Sequence, residues 1–483
     1  MTGSTVQRVL GVLLAMFSLT MLPPAGVALI FDDGTAEVFL QSFGVIAAFG
    51  ALLWWLARRA RREMRLRDGF LVVALFWVVL GTFGAAPFLL SAAPQMGLTD
   101  AIFESMSGLT TTGATVLSGL DALPPAILYY RAQLQWFGGL GIIVLAVAVL
   151  PMLGVGGMQL YRAEMPGPVK DTKLTPRITQ TAKALWYIYL GITVACALAY
   201  WLAGMTAFDA ICHSFSTVAI GGFSTHDASI GHFENVAIEL IAIVFMIVAA
   251  ANFSLHFLAW RERALRHYLV DPEFRSYIWI LGGLTLIVTA GLFWQGVYEQ
   301  PAETVTKGLF QAVSIATTTG FTTDAFASWP IGLPMLLIFA SFVGGCANST
   351  AGGMKVIRWT LMYKQGVREF ERLIHPSAEI PVKLGTRPVP ARVVDSVWGF
   401  FAVYVVVFIV LLLVTLTTGM EPTSAFSAVA ATLNNLGPGL GEVATGFGAA
   451  PALAKWASVC AMLLGRLEIF TLLVLVTPAF WRG

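Results

Sequence analysis

The chain has 483 residues, 57% of them hydrophobic and only 12% charged, with a formal net charge of +2 and a mean hydropathy of +0.78. A soluble protein of this length carries roughly twice that charged fraction, so the composition excludes a water-soluble globular domain and indicates a polytopic membrane protein. So small a net charge gives no sign of a nucleic-acid partner.

The N-terminal run from Val6 to Ile30 has a signal-peptide flavour, with Arg8 ahead of an apolar core. It is longer than a usual signal core and is interrupted by Pro23-Pro24, so it reads as a retained helix. Apolar runs long enough to cross a bilayer follow along the chain, at about 6–31, 37–57, 69–91, 125–152, 183–204, 234–260, 276–297, 331–360, 393–419 and 451–479. These predict ten crossings. Basic residues crowd the connections after the second, fourth, sixth and eighth: Arg58 to Arg67, Arg162 to Lys183, Arg261 to Arg275, and Lys355 to Arg392. With Arg8 and Arg482, 25 of 29 basic residues fall on one side, which the positive-inside rule makes cytoplasmic, with both termini there. Arg131, Lys307 and Lys455 fall on the other side, and Arg466 within a span. Acids such as Asp100, Asp121, Asp227, Asp324 and Glu442 collect on the outer side, where they can raise the local cation concentration. Cys196, Cys212, Cys346 and Cys460 lie in separate apolar segments without paired or metal-like spacing, as reduced structural cysteines do.

Between the long runs, one short pattern recurs four times. Thr111-Thr112-Gly113, Ile220-Gly221-Gly222, Thr318-Thr319-Gly320 and Asn435-Leu436-Gly437 each end a short amphipathic stretch, and their last glycines lie 109, 98 and 117 residues apart. The stretches align without gaps. Asp100, Asp209, Lys307 and Ser424 stand 13 residues before the glycine, and Ser107, Ser216, Ser314 and Ala431 stand six before it. A stretch of about twelve residues cannot cross, so it must enter and turn back, which is tolerated only where its irregular backbone lines a cavity. Its C-terminal end favours a cation, and the glycine lets backbone carbonyls approach one another. Four such loops are what one chain needs to build a ring of carbonyls that binds dehydrated cations.

The predicted fold is therefore an all-α polytopic membrane protein. Two leading helices (1–67) precede four parallel helix–pore-loop–helix repeats (68–180, 181–272, 273–390, 391–483), which form a pseudo-tetrameric cation pore. Two other readings are weaker. A secondary transporter coupled to H⁺ or Na⁺ would be expected to use inverted repeats, whereas every loop here enters from the same side. An intramembrane enzyme needs a nucleophile–base or metal pair at depth, and none stands out; His213 and Cys212 have no second ligand pair nearby in sequence.

These residues resemble the TrkH/TrkG/KtrB superfamily of potassium transporters, and within it the TrkH branch, over essentially the whole chain. The strongest local matches are Gln135 to Gly141, Arg162 to Pro168, His213 to Asp227, Gly344 to Lys355 and Thr432 to Gly439. The resemblance implies a single-chain pseudo-tetrameric pore, a homodimer of such chains, and potassium uptake across the bacterial inner membrane. It also implies a cytosolic TrkA-like ring that gates the pore. The chain has no nucleotide-binding domain or cofactor of its own, so NAD(H) or ATP/ADP would act only through that partner. Membrane lipid surrounds the chain. The metal implied is potassium itself, held at the filter loops.

The loops depart from the full Thr-Val-Gly-Tyr-Gly of potassium channels. Ala114, Phe223, Phe321 and Pro438 follow the key glycine, and Thr115, Ser224 and Thr322 replace the second glycine in three units. Fewer carbonyl sites and looser K⁺/Na⁺ discrimination are expected. By resemblance to plant relatives, in which serine at the first position goes with sodium, Gly113 argues for potassium. An arginine within a span is expensive and normally faces a bundle interior or water; the resemblance places Arg466 beneath the filter as a barrier to cations. Gly344, Gly345, Gly352 and Gly353 interrupt the eighth run, with Asn348, Ser349 and Thr350 between them and Lys355 after them. The resemblance makes this segment an intramembrane gating loop, with Asn348 where a small residue is expected. Gly138, Gly139, Gly141, Gly154, Gly156 and Gly157 are helix-packing glycines rather than a phosphate loop, since no strand precedes them.

Overall fold

A computed structural model describes residues 3–59, 66–139, 141, 178–330, 332–467 and 469–482. The motif Arg162 to Pro168, the glycines 154, 156 and 157, and Glu468 lie outside the described residues. The first run is helical from its start. α1 (Gly3–Ser18) continues through a 3-10 turn into α2 (Leu22–Phe31), and α3 (Ala36–Ala57) returns alongside. Gly11 of α1 and Gly50 of α3 let the two backbones touch: a Cβ on Gly11 would lie 2.8 Å from Gly50 O. Leu10, Leu14, Phe17 and Met21 bury themselves against Phe39, Ile46 and the first repeat.

Repeat 1 has α4 (Leu66–Phe83) and α5 (Ala86–Leu90), the half-helix α6 (Leu98–Leu109) and α7 (Pro125–Gly139). Repeat 2 has α8 (Ile178–Leu202), the half-helix α9 (Ala207–Ala219), α10 (Val236–Ala249), α11 (Phe253–Glu262) and α12 (Arg266–Val270). Repeat 3 has α13 (Pro272–Gln295), the half-helix α14 (Pro301–Ala316), α15 (Leu333–Ser341) and α16 (Val356–Ile374). A two-residue antiparallel pairing, Lys383–Leu384 with Arg387–Pro388, leads to repeat 4. There α17 (Ala391–Leu416) precedes the half-helix α18 (Pro422–Leu433), α19 (Ala452–Arg466), α20 (Ile469–Val476) and α21 (Pro478–Arg482).

Among the described residues, six stretches are single apolar segments of membrane-spanning length: Thr5–Phe31, Ala36–Ala57, Asp68–Leu90, Lys183–Leu202, Pro272–Gln295 and Ala391–Leu416. The other four crossings that hydropathy predicts are the helices that follow the loops, and three of them are not straight spans. The run 234–260 bends by 93° between α10 and α11. The run 331–360 stops at Ser341 and resumes as helix only at Val356, and 451–479 stops at Arg466. The run 125–152 leaves the described residues after Gly139 apart from Gly141. The physical reason is common to the three broken runs. Beside the loops, the chain gives up helix so that backbone and polar groups can turn inward, where protein rather than lipid satisfies them. Arg466 accordingly sits at the end of α19 and not in mid-helix. All four cysteines carry free thiols.

Candidate functional site: four loops in a ring

Each half-helix ends the same way. The N–H of Thr112, Gly221, Thr319 and Leu436 donates to the carbonyl of Ser107, Ser216, Ser314 and Ala431, at 2.9, 2.8, 2.8 and 2.7 Å. One residue earlier, Thr111, Ile220, Thr318 and Asn435 donate to Gly108, Thr217, Ile315 and Thr432, at 3.0, 3.1, 3.0 and 3.3 Å. This pair of bonds is a Schellman cap, which requires a left-handed residue just past the helix. Glycine usually fills that position. Here Thr111 (φ 55°), Ile220 (φ 54°), Thr318 (φ 67°) and Asn435 (φ 53°) do. A left-handed β-branched residue costs on the order of 1–3 kcal/mol and persists only where surrounding structure imposes it.

Two residues on, Gly113, Gly222, Gly320 and Gly437 are again left-handed (φ 79°, 77°, 82° and 100°). The backbone handedness therefore alternates through all four loops. The glycines close a ring with their neighbours' backbones. A Cβ on Gly113 would strike Gly221 O, one on Gly222 would strike Thr319 O, and one on Gly320 would strike Leu436 O. A Cβ on Gly437 would lie 2.8 Å from Thr112 O, which completes the circuit. The sequence alignment of the four loops is thus a spatial fact: consecutive repeats are nearest neighbours in the ring.

Polar side chains pin the ring from behind. Gln135 Nε2 donates to Gly221 O (2.6 Å), and Phe223 N–H donates to Gln135 Oε1 (3.1 Å). Asn435 Nδ2 donates to Thr112 Oγ1 (2.9 Å) and to Met462 O (3.0 Å). A buried ion pair binds loops 1 and 2. Arg131 Nε lies 2.8 Å from Glu104 Oε1, and the guanidinium also donates to Ser224 O and Thr115 Oγ1 (both 3.1 Å) over the Phe223 ring. Glu104 in turn accepts from Val116 N–H (3.0 Å) and Thr115 Oγ1. Sequence reading missed this pair. The available signal was a lone acid in the apolar run Ile102-Phe103-Glu104, but nothing local names its partner 27 residues on.

On one side the ring opens into a vestibule of about 410 Å³ lined by all four glycines, with Asp227 and Asp324 at its wall. Asp100, one of the acids grouped as outer charge, is paired with Lys455 (2.7 Å), and the outer-side Lys307 is paired with Glu239 (2.7 Å). The opposite side is closed down to a cavity of about 50 Å³, walled by Ser349, Gly352, Gly353, Lys355, Asn435 and Arg466 among others.

The 342–355 segment makes that closure. Gly344, Asn348, Gly353 and Lys355 are left-handed (φ 68°, 55°, 69° and 76°), which folds the segment into a compact loop. Gly352 N–H donates to Thr318 Oγ1 (2.7 Å), and Gly353 N–H donates to Asn434 O (3.0 Å). Thr350 Oγ1 reaches Val218 O (3.0 Å) and Ala249 O (3.2 Å). Gly345 O and Asn348 O accept from Val356 and Phe253 N–H (both 3.0 Å), Ser349 Oγ donates to Cys346 O (2.6 Å), and Lys355 Nζ donates to Ala351 O. Glu273 Oε1 accepts from Ala347 N–H (2.7 Å) and ties the loop to α13. Arg466 donates to Thr350 O (3.1 Å) and to Gly138 O (2.6 Å), linking repeats 4, 3 and 1 on the loop side of the ring. Of the residues expected at a gate, Ser349, Gly352, Gly353, Lys355 and Arg466 line this small cavity, while Gly344, Gly345, Asn348 and Thr350 belong to the same loop but do not line it.

The pattern of the TrkH family, described as "Cation transport protein", matches residues 35–482. The chain belongs to the TrkH family. It is 59% identical over 481 residues to the "Trk system potassium uptake protein TrkH" of Vibrio parahaemolyticus serotype O3:K6, covering 99% of each chain. It is 57% identical over 477 residues to the Escherichia coli K12 protein of the same name, again over 99% of each, and 41% identical to that organism's TrkG. Its fold matches the crystal structure of the potassium transporter TrkH from Vibrio parahaemolyticus over 100% of both chains, with a TM-score of 0.91 and 56% identity. As a TrkH-family member, the chain is a multi-pass helical membrane protein of a transport family.

Proposed function

We propose that this chain takes up potassium into a bacterial cell across the inner membrane, through a gated channel-like pore whose filter is the ring at Gly113, Gly222, Gly320 and Gly437. The observation that carries the reading is the closed circuit of four left-handed glycines against neighbouring carbonyls. A backbone ring of this kind replaces an ion's hydration shell. The relatives named as potassium uptake proteins supply the ion. The basic connections set the side: the vestibule faces out, and both termini and the 344–355 loop's exit face the cytoplasm.

The loop and Arg466 form the gate, drawn here shut. α16 begins at Val356, immediately after the loop, and ends with Leu373 and Ile374 exposed. A cytosolic TrkA-like nucleotide-binding ring that displaces α16 would pull the loop from Thr318 and Asn434. The functional unit is a homodimer, and each chain contributes the four repeats bounded at 68, 181, 273 and 391.

The test is ion flux in liposomes with purified wild type and Arg466→Ala, with Na⁺ as the control ion. K⁺ flux that rises in Arg466→Ala is the expected result. No K⁺ flux from either form, even with the ring partner added, would overturn the pore reading. Accumulation of K⁺ beyond the Nernst limit would overturn passive conduction in favour of H⁺- or Na⁺-coupled transport.

A further inference from the structure

At the rim of the vestibule, away from the ring and its gate, three side chains from two repeats come together. Asp121 sits in a 3-10 turn of the repeat 1 loop, and His226 and His232 follow the repeat 2 loop. One ligand atom from each lies within 4.8 Å of the other two. His226 Nδ1 faces Asp121 Oδ1 at 2.5 Å, and the His226 and His232 rings stack at 3.5 Å with an interplanar angle of 2°. Phe233 packs edge-on against both rings at 5.5 and 5.3 Å and holds them in place. The nearby His213 is excluded, because both of its nitrogens are engaged, by Asp209 O and by Ser224 Oγ (2.9 Å each).

We infer that Asp121, His226 and His232 form a binding site for a divalent transition cation of the Zn²⁺ type, and that an ion bound there obstructs cation entry to the ring. Two imidazoles and one carboxylate are a borderline donor set, which suits Zn²⁺ over K⁺ or Mg²⁺. In a tetrahedral Zn²⁺ site with bonds of about 2.0–2.1 Å, ligand atoms stand about 3.3 Å apart. The present separations reach that by small rotations of Asp121 and His232, both of which are exposed. A water fills the fourth position.

A second observation concerns the far side of the His226 ring. Its Nε2 is buried and makes no hydrogen bond. Asp209 Oδ1 stands 3.4 Å away, and Asp209 is itself fixed by Thr206 and Thr225. A metal-bound histidine typically presents its other N–H to a carboxylate, which sets the tautomer and the ring orientation. With a metal on Nδ1, the proton moves to Nε2 and faces Asp209, so the orphaned nitrogen gains its partner. The metal replaces the proton now shared between His226 and Asp121.

The consequence for transport rests on the proposed pore. His226 lines the vestibule that opens onto the four glycines. A dication on its wall repels K⁺ over about one Debye length, ~8 Å at physiological ionic strength. It also ties loop 1 to loop 2 above the Glu104–Arg131 pair.

The experiment has two arms on the full-length purified protein. Calorimetric titration with ZnCl₂ should give one site per chain, weakened at least about 10-fold in His232→Gln and in Asp121→Asn. In liposomes, Zn²⁺ should slow K⁺ flux through wild type, EDTA should restore it, and the same two variants should resist it. Co²⁺ added to wild type should give the intense visible absorption of a tetrahedral imidazole site, which keeps the idea testable if a variant misfolds. No Zn²⁺ binding to wild type, or equal binding to the variants, overturns the site. Binding without slowing of a measurable flux overturns the obstruction. A metal-free protein with no flux even with the ring partner added, but intact Zn²⁺ binding, upholds the site and counts against the pore reading instead.

Discussion

Thr318 couples the ring to the loop beneath it, and replacing it with valine isolates that coupling. Its Oγ1 accepts the N–H of Gly352 at 2.7 Å, and both residues are buried. Valine keeps the β-branched shape, the left-handed backbone and the filter carbonyl, and removes only the acceptor. In the closed arrangement the Gly352 N–H is then buried without a partner, which costs about 1–3 kcal/mol. In an open arrangement the loop has left Thr318 and that N–H is solvated, so nothing is lost there. The whole cost falls on the closed state. A shift of about 1–3 kcal/mol corresponds to roughly 5–150-fold in the closed-to-open equilibrium. The assay is K⁺ or Rb⁺ efflux from liposomes without any partner protein, where the closed state should dominate. Thr111→Val is the control, because Thr111 holds the equivalent left-handed position in repeat 1 but makes no hydrogen bond to the 344–353 loop. Efflux should rise in Thr318→Val and stay level in Thr111→Val. An unchanged rate in Thr318→Val, or an equal rise in both, refutes the idea that the loop is latched to the filter through this bond.

Two further outcomes follow from the ring itself. Glu104→Ala leaves Arg131 buried without its carboxylate and should cost about 3–5 kcal/mol, seen as a lower midpoint of thermal unfolding in detergent. Replacing both partners with apolar residues, Glu104→Leu with Arg131→Met, should recover most of that loss while leaving loops 1 and 2 untethered, so the double variant regains stability but discriminates K⁺ from Na⁺ less well. Alanine at Gly113, Gly222 or Gly320 places a Cβ against a neighbouring backbone carbonyl and should abolish K⁺-dependent growth of a bacterium that lacks other K⁺ uptake. At Gly437 the nearest atom is Thr112 O at 2.8 Å, so that variant should be the least damaged of the four.

The four loops were legible because their determinants are local. A half-helix too short to cross, a fixed offset to a glycine and an aligned Ser or Ala six residues earlier are all features of contiguous sequence, and the Schellman caps turn that spacing directly into geometry. The 344–353 interruption was legible for the same reason, since glycines break a helix wherever they cluster. The reading failed where the cause was distant. Hydropathy cannot distinguish a straight span from one that bends by 93° at Ala250 to Asn252, because the bend exists to satisfy groups on repeat 3, including Cys346 N–H, which donates to Ala250 O at 2.9 Å. Arg131 looks like an outer-side base by sidedness alone. Its burial at 1% exposure depends on Glu104, Thr115 and Ser224, which no periodicity connects. Gln135 has the same history: a polar residue in an apolar helix is visible, but its two bonds to loop 2 cross 86 and 88 residues.

In the proposed pore, the gate and the conducting path would share atoms. Val218, Asn434 and Ala249 each lie in the last turn or at the cap of a helix that ends toward the ring, and Gly138 lies against the end of α6, where a Cβ would strike Leu109 O. Carbonyls there carry the partial negative charge of a helix C-terminus and would draw a cation leaving the filter. In the present arrangement protein donors occupy them. Thr350 takes Val218 O and Ala249 O, Gly353 takes Asn434 O, and the Arg466 guanidinium takes Gly138 O. The loop therefore does more than fill space, because it discharges the electrostatic site that would hold the ion, and Arg466 puts a fixed positive charge close by. Opening must release these donors together, since a carbonyl bonded to Thr350 or Arg466 cannot also face a cation. Closure built this way is a competition between protein donors and K⁺ for one set of carbonyls. Raising K⁺ on the cytoplasmic side of a liposome should then favour the released state in wild type. That dependence should flatten in Arg466→Ala, where the strongest competitor is gone. If the K⁺ dependence is equally steep in both forms, the carbonyls are not shared and the loop acts by steric obstruction alone.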